Sequence, residues 1–196
     1  MTNRRRDDGK ALASIIFHKG YKVFCNHPVN EPLRRKSMRV LIVSDTHKDN
    51  RNYFIALNRE RPLDYVIHCG DCGGDESLLE VAAGCPLYVV AGNTDYYSSL
   101  PREIMTDIAG YKIMITHGHH YYVNDGNEIL KDYAMGEGCN LAFYGHTHVP
   151  EIDEQDEITV VNPGSLSYPR QEGKRPSYAV MEIDRKGRVH FEIRYI

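Results

Sequence analysis

The chain has 196 residues, 41% of them hydrophobic and 26% charged, with a mean hydropathy of −0.50. That suits one soluble domain with a sizeable core, and no apolar run reaches the roughly 18 residues of a membrane span. The net charge of −3 is uneven, with nine Lys/Arg against three Asp/Glu in residues 1–37 and fifteen against twenty-four in 38–196, which argues against a stable nucleic-acid partner for the body of the chain.

The chain begins poorly as structure. Arg4-Arg5-Arg6-Asp7-Asp8-Gly9 is a charge cluster, the apolar run Ala11 to Phe17 breaks at His18-Lys19-Gly20, and Pro28, Pro32 and Arg34-Arg35-Lys36 read as linker. A signal peptide would need a longer core and a small-residue cleavage site. Met38-Arg39-Val40-Leu41-Ile42-Val43 is a buried-strand run, so the expected organisation is a basic, poorly ordered extension over 1–37 and a folded domain over 38–196. Further strands are expected at 64–68, 86–91, 111–116, 141–144, 158–161, 177–183 and 188–195, and helices near 50–60, 75–84 and 126–137. The early β-α-β-α-β order predicts parallel strands. The last two strands flank Asp184-Arg185-Lys186-Gly187 as a hairpin. Five Cys (25, 69, 72, 85 and 139) at irregular spacing suit reduced thiols and a cytoplasmic protein.

The chemistry sits just after the strands. Ser44-Asp45-Thr46-His47, Cys69-Gly70-Asp71, Gly92-Asn93-Thr94-Asp95, His117-Gly118-His119-His120 and Gly145-His146-Thr147-His148 each follow one. In an open α/β sheet such ends converge on one rim. Carboxylates, an amide oxygen and imidazoles without thiolate suit Mn²⁺, Fe²⁺, Zn²⁺ or Ni²⁺. The i, i+2 pairs Asp45/His47 and His146/His148 would share one face if they lay in strands. Seven ligands are too many for one tetrahedral ion, but two ions sharing a carboxylate would use them, with open positions for water. Any one His or Asp could instead be a satisfied core residue or a helix cap. Five such motifs at five strand ends favour the metal reading.

The ordered set Asp-x-His, Gly-Asp, Gly-Asn, His and Gly-His-x-His resembles the calcineurin-like metallophosphoesterase superfamily. Ser44-Asp45-Thr46-His47 and Asn162-Pro163-Gly164-Ser165 look most like its small YfcE-type phosphodiesterases. Over about 38–196 the resemblance implies an α/β fold, a four-layer αββα sandwich of two mixed β-sheets flanked by helices. It implies two divalent ions, Mn²⁺ first with Zn²⁺, Fe²⁺ or Ni²⁺ as alternatives. Asp45, His47, Asp71 and His148 would hold one, and Asp71, Asn93, His117 and His146 the other, with Asp71 bridging. The implied activity is hydrolysis of a small phosphate ester, a diester first, by attack of a metal-bridging hydroxide.

One departure stands out: Thr94 occupies the place where many members carry a His that protonates the leaving group. Thr cannot supply that proton near neutral pH, so His119 becomes a candidate acid and Asp95 reads as a structural cap. Arg170 could fork onto a phosphate while Asn93 holds a phosphoryl oxygen. Cys69-Gly70-Asp71-Cys72 matches C-x-x-C, but the motif Asp lies inside it, so a redox role is not expected. His68 reads as a core residue or one that supports the ligands from behind, and His120, Tyr121 and Tyr122 as possible pocket lining. The rival readings are a phosphomonoesterase on the same site and a non-catalytic protein-binding scaffold such as the retromer subunit Vps29. A homo-oligomer is compatible with either.

Overall fold

A computed structural model of the chain describes residues 15–18, 21–24, 37–155 and 157–196. The chain divides into two compact units, 1–35 and 36–196. In the first, β1 (Ile15–His18) and β2 (Tyr21–Phe24) pair antiparallel, where no strand was expected. Apart from these two strands, the expected poor order of the extension falls on residues outside the described ones.

The second unit runs β3 (Met38–Val43), α1 (Arg51–Glu60), β4 (Tyr65–His68), α2 (Glu76–Ala83), β5 (Leu87–Val89), β6 (Glu103–Ile108), β7 (Tyr111–Thr116), α3 (Glu128–Gly136), β8 (Leu141–Phe143), β9 (Pro150–Glu154), β10 (Thr159–Pro163), β11 (Ser177–Ile183) and β12 (Val189–Tyr195). One sheet has the order β12-β11-β3-β4-β5 and the other β6-β7-β8-β10-β9. The expected parallel pairs β3–β4 and β4–β5 form, as does the β11–β12 hairpin.

Alternation along the strands builds the layers, because successive side chains leave opposite faces. Val40 and Ile42 of β3 enter a core with Ile113 and Ile115 of β7, Phe143 of β8 and Val161 of β10, between the sheets. Leu41 and Val43 face the other way, onto Tyr53, Ala56 and Leu57 of α1 and Leu79 of α2. Met114, Ala142 and Val160 leave the second sheet outward onto Leu130 and Ala134 of α3. Burial on both faces is why these strands read as unbroken apolar runs. Phe143 is fully buried, and its truncation to Ala would cost about 3–5 kcal/mol. The result is the expected αββα sandwich.

In the second unit two strands were not foreseen. β6 and β9 are the edges of the second sheet. Their sequences, EIMTDI and PEIDE, carry charge where a central strand would be apolar, which protects an open edge. Among the described residues no helix is long and apolar enough to cross a membrane. Cys69, Cys72, Cys85 and Cys139 are free thiols.

Candidate metal centre

Each of the five motifs lies just beyond the C-terminal end of a strand: β3, β4, β5, β7 and β8. The paired ligands do not share a strand face as expected. They sit in the loops, and the backbone is left-handed at Asp45 (φ 55°), His47 (44°), Asp71 (56°), His146 (69°) and His148 (59°). Such conformations cost on the order of 1–3 kcal/mol each and persist only where neighbours hold them. Here the loops hold one another. His47 N donates to Asp71 O at 2.9 Å, Ser165 Oγ to Asp45 O at 3.0 Å, and Asn162 Nδ2 to Gly145 O and Thr147 Oγ1, both at 2.9 Å. The motif glycines make room for this. A Cβ at Gly92 would collide with Asp71, and one at Gly145 with Ser44 Oγ.

The structure brings all seven expected ligands together. Asp71 Oδ2 stands between two imidazoles, 3.6 Å from His47 Nε2 and 3.5 Å from His117 Nε2. Asp45 Oδ1 is 3.0 Å from His148 Nε2 and 3.7 Å from His47 Nε2. Asn93 turns its oxygen toward His117 Nε2 (3.0 Å) and His146 Nδ1 (2.8 Å). Ligand atoms of Asp45, His47 and His148, and of Asp45, Asp71 and His117, each fall within 4.8 Å of one another.

With neutral rings, His117 and His148 face the carboxylates as acceptors. His148 Nδ1 donates to Tyr168 O and His117 Nδ1 to Cys69 O, each at 2.7 Å. In a neutral ring that uses the only N–H, so Nε2 presents a lone pair to Asp45 in one case and to Asn93 and Asp71 in the other. Imidazoles fixed this way by a backbone carbonyl are typical metal ligands. Asp45 Oδ1 and His47 Nε2 are buried and make no hydrogen bond. Asp45 Oδ2 accepts from His146 N at 3.2 Å, but its buried Oδ1 is left without a donor, which carries a desolvation cost that a cation among these lone pairs removes. The residues fit divalent metal.

Residues 38–186 match the calcineurin-like phosphoesterase superfamily domain. The chain belongs to this superfamily. A probable metallophosphoesterase of Mycoplasma pneumoniae is 32% identical over 155 residues, 77% of this chain and 92% of its own. The Escherichia coli phosphodiesterase YfcE is 36% identical over 73 residues, 37% of this chain and 35% of that protein. A Streptococcus pneumoniae protein described as a predicted phosphoesterase has a crystal structure that superposes with a TM-score of 0.68 at 29% identity, covering 82% of this chain and 99% of its own. Vps29 of Entamoeba histolytica, complexed with zinc, superposes at 0.64 with 24% identity over 81% of this chain and 99% of its own, a likeness of fold.

Electrostatics in the cluster follow the same geometry. Burial opposes ionisation of Asp45, yet with no cation bound the protonated rings of His148 and His47, donating to it, hold its carboxyl far below the usual range. Burial also opposes ionisation of Asp71, which His117 and the Thr94 N–H bring down to about 2. His119 lies beside His120, His117 and His146 at ring-centroid distances of 3.9, 5.4 and 5.9 Å, and its Nδ1 is buried without a partner. Burial first, then His117 and its other histidine neighbours, push it down to about 4. It is therefore neutral at pH 7 and a weak candidate for proton donor. Arg170 is exposed and lines a cleft with His47 and His148. Burial pushes the Cys69 thiol up, and Cys72 to about 11, which leaves no thiolate for redox chemistry.

Asp95 caps no helix. Its carboxylate accepts N–H bonds from Gly73 (2.7 Å), Gly92 (2.9 Å) and Cys72 (3.3 Å), clasping the Gly-Asp loop to the Gly-Asn loop. His68 is a buried positioning residue. Its Nδ1 accepts from Gly70 N at 3.2 Å and its Nε2 contacts Thr46 Oγ1 at 3.1 Å. Sequence reasoning missed Asn124, whose Nδ2 lies 3.0 Å from His146 Nε2. It also missed the carbonyls of Cys69 and Tyr168 that orient His117 and His148. A carbonyl is common to every residue and leaves no mark in a sequence.

Proposed function

We propose that this phosphoesterase is a dinuclear, divalent-metal-dependent phosphodiesterase of the YfcE type. The observation that carries the reading is Asp71 Oδ2, nearly equidistant from His47 and His117, where a carboxylate could serve two ions. Asp45, His47, Asp71 and His148 would hold one ion and Asp71, Asn93, His117 and His146 the other. Mn²⁺ suits this oxygen-and-imidazole set, with Zn²⁺, Fe²⁺ or Ni²⁺ as alternatives. Such ions polarise a phosphoryl group and lower the pKa of a water for in-line attack.

The chain's own residues supply order. The Cys69 and Tyr168 carbonyls fix His117 and His148 in the ligating tautomer. The Thr94 N–H holds Asp71 Oδ1 at 2.8 Å, leaving Oδ2 to face the two imidazoles. Two clefts with no lining residue in common open from the cluster. One, about 520 Å³, begins at Asn93 and His119, and the other, about 690 Å³, at His47 and His148. A phosphodiester has two arms, and two clefts supply a place for each, which favours it over a monoester. Every position of the ligand set carries a competent side chain, which favours an enzyme over a scaffold. Free thiols suit a reducing cytoplasm.

Metal analysis together with hydrolysis of bis-aryl and mono-aryl phosphates tests the reading. Two ions per chain, loss of hydrolysis on chelation, recovery with Mn²⁺ and preference for the diester are expected. Full diesterase activity in protein shown to be metal-free would overturn it.

A further inference from the structure

We propose that the cleft beside His47 and His148 is a binding site for a second anionic group, so that the preferred substrate is a phosphodiester whose retained arm carries a further phosphate or carboxylate. This rests on the phosphodiesterase reading above.

The charge of the lining separates this cleft from the others. It is formed by His47, His148, Ser167, Tyr168, Pro169, Arg170 and Lys174 and contains no carboxylate. The cleft at Asn93 includes Asp95, the one at Thr94 includes Glu76 and Asp95, and the one at the far end of β3 includes Asp64, Glu182 and Asp184. Residues 38–196 hold twenty-four acidic and fifteen basic side chains, so an acid-free cleft with two cations runs against the trend of the surface. Among the described residues neither Arg170 nor Lys174 is in an ion pair; the surface arginines Arg51 and Arg188 pair with Asp49 and Asp184. A cation with no ion-pair partner, beside a shallow open cleft, is free to take a ligand anion.

The segment carrying these cations is fastened to one half of the metal cluster. Arg170 N donates to His148 O at 3.0 Å, and Tyr168 O accepts from His148 Nδ1 at 2.7 Å. The Tyr168 ring meets His47 edge-on with centroids 5.1 Å apart. Ser167 Oγ donates to Thr46 O at 2.6 Å, and Lys174 N to Gln171 O at 3.0 Å, with Lys174 held at φ 45°. The backbone at Arg170 is therefore tied directly to His148, and Lys174 follows on the same segment. Tyr168, 60% exposed, offers a face for the part of the arm between the scissile phosphate and the second anion. A simple bis-aryl phosphate would leave Arg170 and Lys174 unused.

The test compares two esters with one leaving group: the p-nitrophenyl ester of thymidine 5′-phosphate, and the same ester carrying a 3′-phosphate. A higher kcat/KM for the second is expected, by about tenfold at low salt through a lower KM, and smaller at high salt because exposed charges are screened. In Arg170→Gln/Lys174→Gln the ratio of the two kcat/KM values should fall toward one. Equilibrium binding of the products reads the cleft without turnover, and thymidine 3′,5′-bisphosphate should bind more tightly than thymidine 5′-phosphate in the wild type only. Equal KM values for the two esters, or a preference that survives in the double variant, would overturn the proposal. If neither ester is hydrolysed, the phosphodiesterase reading fails, and equal affinity for the two products would then overturn the cleft assignment by itself.

Discussion

The two ends of β3 handle buried carboxylates in opposite ways. Near its start, Glu60 is 2% exposed and fully engaged by the chain. Tyr178 Oη donates to it at 2.8 Å and Arg194 Nη1 at 2.5 Å, with Arg39 Nη1 at 3.9 Å. Just past its end, Asp45 and Asp71 are as deeply buried, but each has only one oxygen held by a backbone N–H and turns the other toward imidazole Nε2 atoms. Asp95 belongs with Glu60, since three backbone N–H groups satisfy it. A carboxylate completed by its own chain builds the fold, whereas one left facing other acceptors is reserved for something the chain does not contain. Burial alone would not separate the two kinds.

The largest effect should come from Asp71→Asn. It keeps the shape but removes the negative charge between His47 and His117, so hydrolysis should fall at least 100-fold in kcat, about 2.7 kcal/mol at 1.36 per decade. Steady-state kinetics beside metal content checks this. A near-wild-type rate with both ions bound would remove Asp71 from the reserved class. The complementary change is Glu60→Ala. It strands Tyr178 and Arg194 and should cost about 2 kcal/mol of stability, below the usual figure for a broken buried pair because Arg194 reaches solvent. Denaturant unfolding measures that loss, while metal stoichiometry and kcat of the folded protein should hold. A loss of bound metal in this variant would show that the two ends are not independent.

Much of this division was legible in the sequence, and the limits have physical causes. Strand ends carrying Asp, Asn and His converge because a parallel sheet brings them to one rim, so the seven ligands could be named from spacing and resemblance. Their i, i+2 pairing suggested strand geometry, yet the ligands occupy left-handed loop positions that only the packed loops can sustain. Local sequence does not specify those neighbours. β6 and β9 were missed because edge strands replace apolar alternation with charge. Asp95 was read as a cap because its partners, Gly73 and Gly92, lie on two different loops.

His68 extends the comparison to a ligand-like residue that the scaffold has claimed. Burial pushes it down to about 4 from 6.5. A folded-state pKa below the unfolded one means that the unfolded chain takes up the proton first. Its contribution to stability is present above pH 6.5 and is lost as pH falls from there toward 4. Metal-free protein should therefore lose about 1 kcal/mol between pH 7 and 5.5 through this group. His68→Gln should remove that part of the slope when unfolding curves are compared across the range. An unchanged slope would mean that His68 is charged in the folded state, or that water reaches it.

The smallest effect is expected where a superfamily feature is missing. With Thr94 beside Asn93 there is no acidic side chain at that position, so departure of the leaving oxygen depends on its own stability. Wild-type kcat/KM should fall steeply as leaving-group pKa rises, with aryl diesters cleaved well and alkyl diesters poorly. Thr94→His would place an imidazole there, and a well-positioned acid is worth roughly 10²–10⁴-fold. Asp95 is the residue that would have to orient it, but its carboxylate is held by Gly73, Gly92 and Cys72. Freeing it strands a buried N–H at about 1–3 kcal/mol, so the new ring stays unoriented. The gain for poor leaving groups should remain under about tenfold, and the slope should stay steep. Rates across a series of diesters in both proteins decide this. A flattened slope in Thr94→His would show that Asp95 gives up a backbone partner easily, and would move it out of the class of Glu60. A flat slope already in the wild type would point to a donor elsewhere. His119→Ala would test the nearest one, with a steepened slope as the sign that the depressed ring is protonated during turnover.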